Sequence, residues 1–213
     1  MTEITEVQES KGEQSDFDFT GGRLCLDFVN TVHDRASTPR DMLCSYDDLL
    51  AWGQQAGILS VADASALREQ AAQHPTDAAQ MLQQAVAVRE TIYRIFQAIA
   101  LETPPTANDL AVFNAALAQS MTHGRIVPEA AGFAWHWDNS SAHRLDRVLW
   151  PVIRSAADLL TSHDLEQVRL CAAEDCGWLF LDESKNHTRR WCDMKTCGNR
   201  AKARRHYQKK LVS

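Results

Sequence analysis

Residues 171–210 read CAAEDCGWLFLDESKNHTRRWCDMKTCGNRAKARRHYQKK, and four cysteines in that stretch decide how the C-terminal end folds. They fall as two pairs, Cys171 with Cys176 and Cys192 with Cys197. Four residues lie within each pair and fifteen lie between the pairs. Thiolates are soft ligands, and four of them suit a tetrahedral Zn²⁺ with a closed shell. Such a shell leaves no open position for water, so the expected role is one structural ion rather than a catalytic one. Disulfides are the alternative. The chain opens MTEITEVQESKGEQSD, which is acidic and polar and has no secretory pattern. A reducing cytoplasm is therefore expected, and metal is favoured over disulfide.

The residues around the pairs extend this plan. Gly177 to Leu181 is apolar and strand-like, Asp182 to Asn186 is turn-like, and Arg189-Arg190-Trp191 starts a return. After Cys197 come the helix formers Ala201, Lys202, Ala203, Arg204 and Arg205. The expected order is knuckle, β-hairpin, knuckle, α-helix, a treble-clef-like zinc module with four cysteine ligands. At about 100° per residue, Ala203, Tyr207 and Leu211 share one helix face, expected to pack on Trp178, Phe180 or Trp191. Residues 183–213 carry a charge balance of +8 in a chain of net charge −6, which leaves −14 for residues 1–182. A basic end on an acidic body suits a polyanion. Candidate contacts are Arg189, Arg190, Arg200, Lys202, Arg204, Arg205 and Lys209. The alternative is that Arg200 or Arg189 offsets the formal −2 of a zinc tetrathiolate, while the others are solvated or pair with the acidic body.

Cys197-Gly198-Asn199-Arg200, set within RRWCDMKTCGNRAKARRHY, resembles the signature of the CGNR zinc finger family. LDFVNT, residues 26–31, resembles the opening of the ABATE-type domain that precedes such fingers in bacterial proteins. The resemblance covers Gly22 to about Leu160 and Val168 to Lys210. It implies a transcriptional regulator whose finger binds nucleic acid. The preference for DNA over RNA comes from the resemblance alone.

Outward from the finger, the chain reads as mostly α. Residues 1–20 are expected to be a disordered acidic tail, 21–165 a multihelical domain with one small β-hairpin, and 166–213 the zinc module. Helices are expected over 23–35, from Ser45 to near Gly57, from Ser60 to before Pro75, over 76–101 and over 108–120. Another is expected over 141–160, kinked or broken at Pro151. Arg125 to Trp137 reads as the hairpin, with Phe133, Trp135 and Trp137 on one face. That row is either core or a base-stacking surface, and core is expected. Cys25 and Cys44 are expected to be small buried side chains. Asp27, Asn30, Thr31 and Arg35 either line a ligand pocket or make the internal hydrogen bonds that buried polar groups need. No Gly/Pro/Ser-rich linker precedes Val168, so the finger is expected to be docked on the helices.

Several function classes drop out. No apolar run is long enough for a membrane helix. No P-loop, Gly-x-Gly-x-x-Gly, Gly-x-Ser-x-Gly or His-Glu-x-x-His occurs, so no enzyme is expected. His33 with Asp34, or His143 with Asp146, are pairs that helix surfaces supply by chance. The expected protein is a zinc-containing nucleic-acid-binding regulator. Its helical domain would sense a small-molecule effector or form a homodimer. The alternative is a protein-interaction module with a purely structural zinc.

Overall fold

The structure, a computed structural model, describes residues 17–130, 132–138 and 144–211; side chains at 205, 206, 209 and 211 lie outside the description. The expected acidic tail lies outside the described residues as far as residue 16, and so does His143. Residues 17–20 are not tail. Phe17 is buried in the helical core, and its N–H donates to Gln55 Oε1 at 3.1 Å. An aromatic ring placed after an acidic run gains more from burial than a solvated tail would.

Helix α1 (Leu24–Val29) has Cys25, Leu26, Phe28 and Val29 fully buried. It ends well before the expected residue 35. The Thr31 hydroxyl donates to the Phe28 carbonyl at 2.8 Å, a local bond of the kind that competes with helix. The next residues form strand β1 (Val32–His33), paired antiparallel with β2 (Arg40–Asp41). Helices α2 (Tyr46–Gln55) and α3 (Val61–Gln73) open on full capping boxes, Ser45 with Asp48 and Ser60 with Asp63. Helix α4 (Pro75–Ala100) starts on a proline, which suits a first turn whose N–H groups have no intrahelical partner. Helix α5 (Ala107–Met121) is capped by Thr106.

Strands β3 (Gly124–Glu129) and β4 (Gly132–Trp137) form the expected hairpin, with Ile126 opposite Trp135 and Pro128 opposite Phe133. Its aromatic row only partly joins the core. Trp137 lies 5.9 Å from the buried Trp150, and Arg154 sits over Trp135 at 4.4 Å. Phe133, however, is 79% exposed and Ile126 54%. Alternation fixes which side chains share a face, not whether anything covers it. Pro151 neither kinks nor breaks a helix. A 3₁₀ turn (Leu145–Val148) leads into α6 (Leu149–Leu160), so the proline falls in the first turn, where its missing N–H costs nothing.

Helix α1 packs against α4 and α6, and α5 packs on both of those. The finger joins this core through a hairpin, β5 (Val168–Leu170) with β6 (Leu179–Leu181). β6 pairs back with the strand before the first knuckle. The segment 189–191, expected to return beside it, is not a strand and touches that knuckle through one backbone bond, Ala172 N–H to the Arg190 carbonyl at 2.8 Å. Along β6 the side chains alternate. Leu179 and Leu181 enter the helical core, while Phe180, with Trp178 before it, enters a second core with the four cysteines. One strand thus serves two cores. No helix among the described residues is long and apolar enough to cross a membrane.

Candidate metal centre and its basic helix

Cys171 directly follows β5, and Cys176 closes the turn after it. Gly177 follows at φ +71°, with Arg35 Cβ only 2.9 Å from where its own Cβ would be. Both the left-handed backbone and the close approach demand glycine. The helical domain holds this first knuckle by its backbone. The Arg35 N–H donates to the Cys176 carbonyl at 3.0 Å, and the Tyr93 hydroxyl donates to the Gly177 carbonyl at 3.0 Å. Trp178 Nε1 donates to the Val32 carbonyl at 2.8 Å. Asn30 reads Leu179 in both directions, donating to its carbonyl at 2.8 Å and accepting its N–H at 3.0 Å.

The second knuckle is built differently. Asp182 is fully buried and accepts from Ser184 and from the Arg189 N–H, which fixes the loop ahead of it. Burial alone would raise its carboxyl; these bonds hold it below the usual range instead. Cys192 then leads to Asp193, which caps a π turn (Met194–Gly198) carrying Cys197. Gly198 lies against Met194, whose Sδ is 2.5 Å from where a Cβ would stand. Asn199 donates to the Lys195 carbonyl at 3.0 Å, and Arg200 donates to Cys197 Sγ at 3.4 Å. Each residue of Cys-Gly-Asn-Arg therefore has a local task. Helix α7 (Asn199–Leu211) follows directly.

The four sulfurs all lie within 4.8 Å of one another and all four cysteines are buried. Cys176 and Cys197 are each 3.6 Å from Cys192. None is in a disulfide, which would need about 2.05 Å between sulfurs. Zinc–sulfur bonds of about 2.3 Å in a tetrahedron put sulfurs about 3.8 Å apart, so the set fits the ion that its chemistry suggests. Charge points the same way. Hydrogen bonds from Cys176 and Cys192 push Cys171 toward thiolate, and that thiolate in turn holds Cys176 and Cys192 as thiols. Four thiolates this close would repel one another, so all four ionise only with a cation among them.

The structure divides the sequence's candidate cations. Arg189 is a brace: it stacks on Phe180 at 4.5 Å and donates to the carbonyls of Trp191, Cys192, Leu181 and Thr20. Arg200 faces Cys197 Sγ, Asp34 and Asp175, and Arg204 pairs with Asp175 at 2.6 Å and approaches Glu174 at 3.8 Å. Arg190, Lys202, Lys185 and Lys210 are exposed, with no carboxylate partner among the described residues; Lys195 is exposed too, but its charge helps to hold the Asp193 carboxyl below the usual range. The side chains of Arg205 and Lys209 lie outside the description. The expected apolar stripe of α7 does not pack down. Ala203 is exposed and Tyr207 is 68% exposed, because α7 is held at its start by the Arg200 and Arg204 ion pairs.

The four polar residues near the start all have internal partners. Asp27 Oδ1 accepts the Gly21 N–H at 2.8 Å, and burial lifts its carboxyl to about 6. Asn30 and Thr31 bond as described above. Arg35 is bidentate to Glu90 at 2.7 and 3.0 Å and lies over Tyr93 at 4.0 Å. Behind it, Arg89 is buried and bidentate to Asp41 at 2.7 and 2.6 Å. The sequence does not mark Arg89, Tyr93 or Asp182 as site residues; only the adjacent charges Arg89 and Glu90 inside the apolar pattern of α4 hint at the first. His33 lies edge-on to Trp178 at 4.9 Å, and desolvation, with Arg40 nearby, lowers its pKa. A cavity of about 320 Å³ lies there, bounded by His33 and Arg40 on one side and Cys192, Cys197 and Arg200 on the other. Cys25 is buried as expected, but Cys44 is exposed in the loop before α2.

Two family models match the chain. One, described as "putative stress-induced transcription regulator" (ABATE), spans residues 22–163. The other, the CGNR zinc finger, spans residues 167–210. No curated protein matches the chain.

Proposed function

We propose, for a chain that belongs to the ABATE family and closes with a CGNR zinc finger, that it is a regulator whose finger holds one structural zinc ion and binds nucleic acid. The observation that carries this reading is the group of exposed cations, Lys185, Arg190, Lys202 and Lys210, left without carboxylate partners among the described residues while other arginines of the finger are neutralised. Unpaired cations on a rigid frame displace counterions from phosphates, and that driving force needs no base contact. The zinc supplies a closed tetrathiolate shell that fixes where the second knuckle and α7 stand. DNA is the expected polymer. The helical domain is the regulatory part. An effector would enter the cavity beside His33 and Arg40, since Asp27, Asn30, Thr31 and Arg35 are already engaged.

A second reading rests on the exposed apolar row Ile126 and Phe133, which suits a protein surface, including another copy of this chain. Binding of the zinc-loaded protein to random duplex across a salt series separates the two. For Z phosphate contacts on B-DNA, log affinity should fall against log salt with a slope of about −0.9Z. Lys202→Glu with Lys195→Glu should flatten that slope. No binding of duplex or single strand at low salt would leave the protein-interaction reading.

A further inference from the structure

A cavity of about 260 Å³ lies between the first knuckle and α7, lined by Glu174, Asp175, Arg190, Trp191, Arg204 and Gln208. It is smaller than the pockets of about 300–1,000 Å³ that hold drug-sized ligands, so it suits one planar ring system. Trp191 is half-buried in its wall, with the Arg190 guanidinium over the ring at 5.5 Å. An aromatic face paired with a free cation is the usual platform for an unstacked base. The polar rim matches a base edge better than a phosphate. Glu174 is 88% exposed, with only a long 3.8 Å approach from Arg204, so its carboxylate is free to accept N–H groups and would repel phosphate. The Gln208 amide is exposed and has no partner among the described residues, so it offers both a donor and an acceptor. Lys202, with no carboxylate partner among the described residues, lies outside this rim and is free to meet the backbone.

The start of α7 argues against groove reading. A recognition helix reads base edges with its first residues. Here those cations, Arg200 and Arg204, are turned inward onto Asp34, Asp175 and Cys197 Sγ. We propose that the Trp191–Arg190 cavity captures a single unpaired base, so that the finger prefers single-stranded or locally opened DNA to intact duplex. This rests on the nucleic-acid reading above.

The test uses the zinc-loaded full chain, single strands of roughly 12 nucleotides and the matching duplex. A 2-aminopurine within the strand reports stacking. The expected result is tighter binding of the single strand, with a fluorescence change that the paired probe does not give. Trp191→Ala should weaken single-strand binding roughly 5- to 150-fold, and Trp191→Phe should restore most of it. Gln208→Ala, on the exposed rim, should lower base preference with zinc content and melting temperature unchanged. Duplex bound as tightly as single strand, with Trp191→Phe and Gln208→Ala both silent, overturns the base site and leaves phosphate binding standing. Neither polymer binding overturns both.

Discussion

The two knuckles contribute equal numbers of sulfurs to one cluster but are held by different forces. The first, Cys171 to Trp178, is gripped by the helical domain through Arg35, Tyr93 and Asn30, and its own Trp178 bonds back to Val32. The second, Cys192 to Cys197, meets that domain chiefly through the Arg189 bond to the Thr20 carbonyl and the 3.6 Å approach of Arg200 to Asp34. The first knuckle is therefore positioned by the helical domain, and the second by bonds within the finger, from Asp182, Arg189 and the Asp175 ion pairs, and by whatever sits among the sulfurs. On the proposed reading, that asymmetry would let metal binding order the second knuckle and α7 more than the first knuckle. The helical core would keep half of an assembled site ready.

Removing metal tests this most severely. Metal binding to zinc-finger peptides is worth about 10–16 kcal/mol, and most of it should act here on residues 182–211. Chelation should expose the amides of the second knuckle and α7 to rapid hydrogen exchange while Val168–Leu170 and Leu179–Leu181 stay protected. Equal loss on both sides would break the comparison. A smaller effect comes from Asn30→Ala, which strands the Leu179 N–H and carbonyl in the core. The expected loss is about 2–4 kcal/mol of stability, read by denaturant unfolding, with weaker zinc affinity as the first knuckle loosens.

Smaller again is Asp27→Asn. Asp27 holds the Gly21 N–H, and the Gly21 carbonyl accepts from Leu181, so it belongs to the anchored side. Its folded pKa is raised to about 6, mainly by burial, from an ordinary 3.8. The proton is bound more tightly in the folded state. Its contribution is thus fully present below about pH 4 and lost as pH rises through 6. Asp27→Asn should remove that decline and stabilise the protein at pH 7 by about 1–3 kcal/mol, leaving zinc affinity unchanged. A stability profile whose slope between pH 4 and 6 survives the substitution would contradict this assignment.

What is legible in the sequence follows the same divide. The sulfur cluster can be read because its ligands sit in two short local turns, and the caps of α2 and α3 because a serine and an aspartate three residues apart make them. The grip on the first knuckle cannot. Asn30 and Leu179 are 149 residues apart, and nothing local to Asn30 names its partner. Sequence overestimates the length of α1 because Val32 continues an apolar period that the Thr31 side chain interrupts. It assigns the aromatic row of β4 to the core because alternation identifies a face without showing its cover. It leaves open which cations of α7 are free, because Glu174 and Asp175, which neutralise Arg204, lie in the other knuckle.

The most direct test of the central claim is the metal itself, measured as elemental content and zinc-edge X-ray absorption on reduced protein purified without chelator. The expected result is one zinc per chain with four sulfur neighbours at about 2.3 Å, and three with Cys192→Ser. Protein that is folded and binds its partners with no metal, or with a shell of nitrogen and oxygen, would contradict it.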